Sequence, residues 1–239
     1  MQDNRFLNAN AAAQASIDVG LRTYMLGVYN HMTTALAFTG LMAFATKMLV
    51  MSNPAFGQLL FGTPLQYVVL FAPIGMVFWL SATIHKISAA SARNRFYAYA
   101  AMMGIALSAV LLAYTGASVA RAFFITAGAF ASLSIYGYTT KRNLSALGSF
   151  LMIGVFGLIL ASIVNLFLGS SNLEFMISIV GVLLFAGLTA YDTQKIKSMY
   201  SAGDDQTVAA RKSIFGALTL YLDFINMFLF LVRLIGNRE

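Results

Sequence analysis

Two aspartates, Asp192 and Asp223, are the residues whose type and surroundings suggest chemistry in this sequence. Asp192 lies in FAGLTAYDTQKIK and Asp223 in LYLDFINMFLFLVRLIG, and both stretches are otherwise largely apolar. An ionised carboxylate at bilayer depth costs at least about 2.5–3.5 kcal/mol, so such a group normally faces a bundle interior or a water-filled path. The remaining acids fall in loops, at the termini or at a helix start: Asp3, Asp18, Glu174, Asp204, Asp205 and Glu239.

Two carboxyl groups that face each other can form a pH sensor. Within hydrogen-bonding distance they share one proton, and the titration belongs to the pair rather than to either group. A hydrogen bond joins the two groups when one is protonated, and the two carboxylates repel each other when both are ionised. That repulsion could open the cytoplasmic end of a pore. The pair also attracts a divalent cation. Calcium takes six to eight oxygen ligands, so Asp192 and Asp223, even with Tyr191, Thr193, Asn226 and backbone carbonyls, would bind it weakly, as conduction requires.

The sequence leaves open whether the two carboxyl groups meet. Asp192 lies about one turn before Lys195 and Lys197, whereas Asp223 lies 11 residues past Lys212, about 16 Å along a helix. Straight helices would place the two at different depths, unless a tilt or a displaced start of the last helix brings them level. The alternatives are that Asp192 makes local pairs at an exposed helix end, and that Asp223 is a packing acid bonded to Asn226, a tyrosine or the backbone.

The composition indicates an integral membrane protein. The chain has 239 residues, of which 59% are hydrophobic and 10% charged, against about 25% charged residues in soluble domains. Cysteine is absent and there are two histidines, which excludes disulfides and thiolate metal sites and argues against a multi-histidine zinc site. The net charge of +7 comes from basic residues between apolar segments, which indicates a topology signal rather than nucleic-acid binding.

A spanning helix needs about 20 predominantly apolar residues, and seven stretches of the chain meet that requirement. The sequence therefore predicts an all-α integral membrane protein with seven transmembrane helices in a single domain, 1–239, with a polar cytoplasmic segment, 1–22, before the first helix. The seven stretches are roughly 31–51, 66–86, 96–115, 121–140, 147–168, 173–195 and 213–235.

The basic residues predict the orientation. Of the 15 lysines and arginines, 11 fall on one side of these stretches, and the loops 52–65 and 169–173 on the other side carry none. Positive charge marks the cytoplasmic side, so the N-terminus is expected in the cytoplasm and the C-terminus outside. Arg233 and Arg238 oppose this weakly, and the alternative is a last segment that dips into the membrane and returns.

Two motifs resemble a known family. LTAYDTQKIK (188–197) and ALTLYLDFINMFLFLVRLIG (217–236) resemble the signature region of the Bax inhibitor family, the transmembrane Bax inhibitor motif proteins. LRTYMLGVYNHMTTALAFTG (21–40) resembles the first-helix region of bacterial members. The resemblance implies six helices around a central seventh, a multi-pass protein of the bacterial inner membrane, and a pH-sensitive calcium leak. It also implies that an aspartate pair is the sensor, and the motif assigns that pair to Asp192 and Asp223.

The chain departs from the family at the end of its second helix. The family's bacterial leak protein resembles this chain but has an arginine-rich segment there, which helps to latch the closed state. FWLSATIHKIS (78–88) has Ser81, Ala82 and Thr83 in its place, followed a turn later by His85 and Lys86. Either His85 or Lys86 substitutes for the latch, or both are ordinary topology charges at a helix end and the latch is missing.

Three other functions compete with the calcium leak. The first is a non-conducting regulator that binds a membrane protease or another membrane protein, as some bacterial family members resemble such partners. The second is a proton-coupled cation exchanger, since buried acids also serve proton relays. The third is an intramembrane aspartyl protease, but the chain lacks that class's Gly-Xaa-Gly-Asp arrangement, so we expect no enzyme. The expected partners are calcium ions, lipid and, for the regulator, a membrane protein, and the only expected cofactor is transient calcium.

Overall fold

A computed structural model describes the backbone of residues 2–238 and the side chains of residues 19–238. The described chain folds into helices and forms no β-strand in this range. The helices are α1 Gln2–Ser52, α2 Pro54–Phe61, α3 Leu65–Thr83, α4 Ala89–Ala113, α5 Gly116–Thr139, α6 Ser145–Leu168, α7 Ser171–Ser198 and α8 Gln206–Ile235.

Seven of the helices in the described chain are long and apolar enough to cross a membrane, and only the short α2 is not. This confirms the predicted all-α membrane fold with seven spanning helices. The helix α1 begins before the predicted stretch 31–51, since residues 19–30 already belong to it. Tyr24, Met25 and Val28 in this early part are buried against protein, so the segment is stabilised by packing although it is less apolar than a lipid-facing helix.

The last helix, α8, forms the core of the bundle. Of its most apolar window, 67% is buried, against 11–39% for the other six spanning helices. It packs most extensively against α7, α1, α5 and α4, whereas α3 packs mainly on α4 and α6 mainly on α7. The ring of helices implied for α8 is thus uneven in the described chain, with four close neighbours and two helices set mostly outside them.

The helices run alternately up and down between two ends of the bundle. We call one the basic end: it contains the start of the α1 span at Val19 and the connections 84–88, 140–144 and 199–205. The opposite end contains the other connections and the end of α8. There the backbone N–H of Thr115 donates to Asn237 O at 3.0 Å. The helix α8 therefore crosses the whole bundle, and the alternative in which the last segment dips in and returns is wrong for this fold.

Close packing between helices depends on glycine at two places. At Gly137 of α5, a Cβ would overlap the backbone of Ala190 in α7. At Gly104 of α4, a Cβ would meet Thr39 O and the backbone N of Ala43, both in α1. Small residues let helix backbones approach in lipid, where little hydrophobic force acts between helices. These two contacts hold α5 against α7 and α4 against α1.

We predict that Gly137→Ala lowers the free energy of unfolding by about 1–3 kcal/mol, because the overlapping atoms belong to the α7 backbone and cannot rotate away. Gly128→Ala in the same helix is the control, since no heavy atom outside its own helix lies within 4 Å of its Cβ position. Equilibrium unfolding of both purified variants in detergent measures the difference. Equal stability of the two variants would contradict the proposed close contact.

Candidate functional site

The two helices that carry the aspartates are antiparallel and offset along their axes. A Cβ on Gly216 of α8 would touch Ile196 of α7, and a Cβ on Gly181 of α7 would touch Phe230 of α8. These contacts put the end of α7, at Ser198, about level with residue 214. The first eight residues of α8 therefore extend roughly 12 Å beyond the end of α7, toward the basic end. This offset removes the difference in depth that the sequence suggested.

The structure brings the carboxyl groups of Asp192 and Asp223 together between α7 and α8. The two side chains lie at hydrogen-bonding distance from each other. Both are buried, with 9% of Asp192 and 4% of Asp223 exposed. Carboxylates only accept hydrogen bonds, so a hydrogen bond between the two groups requires one proton. With one such proton the pair would carry a single negative charge.

No basic side chain in the described chain forms an ion pair with the two aspartates, although Lys195, one turn further along α7, places a positive charge near Asp192. The ion pairs formed by residues 19–238 are Lys212–Asp204 at 2.6 Å and Arg238–Glu174 at 3.2 Å, and neither includes the pair. Oδ2 of Asp223 has no hydrogen-bond donor within the same range. A buried charge without a partner is costly, so a proton shared by the two carboxyl groups would stabilise this arrangement.

The two residues suggested to support the pair point elsewhere. The side-chain amide of Asn226 donates to Leu222 O in its own helix at 2.8 Å. The ring of Tyr191 lies against α6, where a Cβ on Gly148 would overlap it. Asn226 therefore donates no hydrogen bond to Asp223. The alternative in which Asp223 is a packing acid bonded to Asn226 does not hold in this structure.

His85 and Lys86 lie at the basic end, and both are exposed. The His85 ring packs against Phe215 with 5.7 Å between ring centroids, and its backbone carbonyl accepts a hydrogen bond from Arg211 Nη1 at 2.6 Å. No contact joins either side chain to the aspartate pair among the residues described. Arg211 thus connects the end of α3 to the first turns of α8. Neither the His85 nor the Lys86 side chain connects this end of α3 to the aspartate pair.

A buried chain of hydroxyl groups beside the pair was not predicted. The hydroxyl of Tyr29 in α1 lies 2.8 Å from Ser134 Oγ in α5, and Ser134 Oγ lies 2.9 Å from Thr193 Oγ1 in α7. Thr193 in turn donates to Thr189 O at 2.7 Å. Thr193 directly follows Asp192, so this chain of hydrogen bonds fixes α7 next to the pair. Serine and threonine are common in packed membrane helices, so the sequence carries no distinctive signal for it.

A second buried hydroxyl cluster fixes α8. The hydroxyl of Tyr221 lies 2.7 Å from Thr39 Oγ1, and Thr39 Oγ1 lies 2.9 Å from Ala100 O. Tyr221 is 0% exposed, and the rings of Phe96 and Tyr99 pack edge-on against it at 5.7 Å. Tyr221 precedes Asp223 by two residues, so this contact with α1 and α4 sets the rotation of α8 that aims Asp223 at α7.

Taken together, the fold and the site define a class: a multi-pass helical membrane protein with a buried acidic pair between its last two helices. The sequence profile of the family described as "Inhibitor of apoptosis-promoting Bax1" matches residues 21–239. The chain belongs to this family, the Bax inhibitor family, which confirms the resemblance.

Bacterial relatives align along nearly the whole chain. The inner membrane protein YbhL of Escherichia coli K12 is 42% identical over 239 residues, covering 99% of this chain and 100% of YbhL. The uncharacterized protein RP147 of Rickettsia prowazekii is 46% identical over 224 residues, covering 94% of this chain and 93% of that protein. A Caulobacter vibrioides protein is 45% identical over 238 residues, covering 95% and 94%. The family relationship therefore extends to all seven spanning helices.

We predict that Thr39→Val lowers the free energy of unfolding by about 1–3 kcal/mol, because the substitution leaves the buried hydroxyl of Tyr221 without its partner. Thr33→Val in the same helix is the control, since Thr33 is exposed and bonds only to carbonyls of its own helix. Equilibrium unfolding in detergent compares the two. A loss for Thr33→Val as large as that for Thr39→Val would contradict the role of the cluster.

We predict that Arg211→Gln loosens the end of α3, because the guanidinium group holds the carbonyl of His85. Hydrogen exchange measured by mass spectrometry should show faster amide exchange in the connection 84–88, since local opening depends on such contacts. Arg93→Gln, an exposed arginine in the next helix, is the control. Unchanged exchange in 84–88 for Arg211→Gln would show that other contacts hold this segment.

Proposed function

We propose that this protein is a pH-sensitive calcium leak channel gated by the pair Asp192 and Asp223. The observation that carries the proposal is the pair itself: two buried carboxyl groups on neighbouring helices, facing each other without a basic partner in the described chain. Membership of the Bax inhibitor family supports it, because the resemblance to that family implies a pH-sensitive calcium leak with an aspartate pair as its sensor.

The distribution of charge supports an orientation with the basic end in the cytoplasm. The relative YbhL is named an inner membrane protein, so we infer a multi-pass protein of the bacterial inner membrane. Asp192 lies six residues before the end of α7, about 9 Å from it along the helix. The pair would then control the cytoplasmic part of the bundle, with the N-terminus on the same side.

The gate would work through repulsion. With one shared proton, the hydrogen bond holds α7 against α8 and the path is closed. Loss of that proton leaves two like charges a few ångströms apart, which repel by several kcal/mol, about 4 kcal/mol at 4 Å with an effective dielectric constant of 20. The helices separate near the pair, water enters, and calcium can follow. The leak therefore increases as pH rises and decreases as pH falls.

Three buried polar atoms support entry of water from the basic end. Within the described chain, the hydroxyls of Tyr24 and Ser213 and Oδ2 of Asp223 have no hydrogen-bond partner. All three belong to α1 or α8, and Ser213 lies against Gly27 of α1. Buried polar groups without protein partners are commonly satisfied by water. These atoms are suitable first contacts for water that reaches the pair.

The pair suits passage of calcium better than storage. Two carboxyl groups offer four oxygens, fewer than the six to eight that calcium takes. Over the residues described, no group of three or more His, Cys, Asp or Glu side chains could hold a metal. A calcium ion at Asp192 and Asp223 would thus be held briefly, which conduction needs. The proposal requires no enzymatic reaction and no resident cofactor, only calcium and the bilayer.

The decisive experiment measures calcium influx into liposomes that contain purified protein and a trapped calcium dye, from pH 6 to pH 8. We expect influx that rises with pH in the wild type and loses this dependence in Asp192→Asn and Asp223→Asn, because asparagine cannot ionise. Glu174→Gln removes an acid at the opposite end of the bundle and should keep the pH dependence. A trapped pH dye distinguishes an exchanger, which would move protons against calcium.

The absence of influx above empty liposomes at every pH, with protein shown to be folded, would overturn the channel. The non-conducting regulator would then become the leading function. It predicts that crosslinking in native membranes captures a membrane protein partner, and that Asp223→Asn does not release it.

A further inference from the structure

An open groove runs along the bundle between α1 and α5. Both helices pack on α8, but in the described chain they pack scarcely at all against each other. The space between them has two parts, of about 710 and about 430 Å³, which share Leu36, Phe123 and Phe224 as lining residues. Phe224 of α8 belongs to the floor of both parts. We call this space the α1–α5 groove, and it opens sideways to the hydrocarbon of the membrane.

The larger part of the groove is apolar along its length and basic at one end. Its walls include Met25, Leu26 and Ala131. At the basic end it is lined by Arg22, which is exposed, and by Tyr138.

A second cation lies close to this end of the groove. The ammonium group of Lys197 donates to Tyr138 O at 2.8 Å and lies 4.7 Å above the tyrosine ring. Arg22 and Lys197 therefore place positive charge where the groove meets the membrane surface, as a lipid phosphate requires.

We propose that the larger part of the α1–α5 groove binds an anionic phospholipid, with an acyl chain between α1 and α5 and the headgroup phosphate at Arg22. The occupant must be apolar along the groove and negative at the basic end. The positive charge of Arg22 and Lys197 at one end of an otherwise apolar groove matches a lipid with an acyl chain and an anionic headgroup better than an apolar helix of another protein.

The bound chain would lie beside both helices of the aspartate pair. Phe224 on the floor directly follows Asp223, and Ser134 on the wall is hydrogen-bonded to Thr193, which directly follows Asp192. The lipid would therefore contact the structure that positions both carboxyl groups. The binding proposal itself does not depend on calcium conduction.

Native mass spectrometry of the full chain in detergent tests the proposal. Dioleoyl phosphatidylglycerol and dioleoyl phosphatidylcholine are titrated separately, and the dissociation constant of the first lipid adduct is measured. We expect tighter binding of phosphatidylglycerol to the wild type. Arg22→Gln should weaken that binding about fivefold, since one basic residue near the membrane surface contributes about 1 kcal/mol. Ala131→Phe should weaken binding of both lipids because the ring fills the groove.

Two matched controls separate the groove from the general lipid-facing surface. Arg93→Gln removes an exposed arginine of α4, a helix with no residue in the larger part of the groove, and Ser132→Phe adds the same ring at the exposed neighbour of Ala131, outside the groove lining. Both controls should bind phosphatidylglycerol like the wild type. Circular dichroism and melting temperatures establish that each variant is folded, and Arg22→Gln, an exposed substitution, keeps the test valid if Ala131→Phe does not fold.

Two outcomes would overturn the proposal. Equal phosphatidylglycerol binding by the wild type, Arg22→Gln and folded Ala131→Phe would show that lipid adheres to the bundle surface without using the groove. A protein dimer in the wild-type spectra that only Ala131→Phe abolishes would show that a second copy of the chain occupies the groove.

Discussion

The hydrogen bond between the carboxyl groups of Asp192 and Asp223 is the interaction on which the rest of the site depends. Both groups are buried, and neither forms an ion pair with a basic side chain in the described chain. A buried charge without a partner is so costly that the protein must supply a counter-charge, a proton or water. A shared proton would reduce this cost, because it removes one of the two charges and allows a hydrogen bond between the groups.

The packing around α8 is arranged to hold this bond. Gly137 allows α5 to approach α7, and the hydroxyls of Ser134 and Thr193 join the two helices at the same level. On the other side, Tyr221 fixes α8 to α1 and α4. These contacts are polar or depend on close backbone approach, as expected for helices in lipid, where burial of apolar surface alone gives little specificity. The aspartate pair thus lies between two independently anchored helices.

Some of this was predictable from the sequence. Seven spanning helices follow from segment length and composition, and Asp192 and Asp223 are conspicuous because they interrupt apolar stretches. The meeting of the two aspartates was not predictable, because it depends on how far α8 extends beyond α7, and the connection 199–205 does not reveal that distance. The sequence prediction covered only the most apolar stretch of α1, whereas the helix extends further toward the N-terminus, where residues such as Val28 are buried against protein.

The anchor at Tyr221 has a mechanical consequence. Tilting of a rigid α8 about this anchor moves each point of its axis in proportion to the distance from the anchor, which is about 3 Å at Asp223 and about 22 Å at Gln206, the start of α8. Such a tilt would displace the axis at the first turn about seven times farther than the axis at Asp223. A sub-ångström change at the aspartates corresponds to several ångströms at the surface of the bundle, so α8 acts as a lever with a short inner arm.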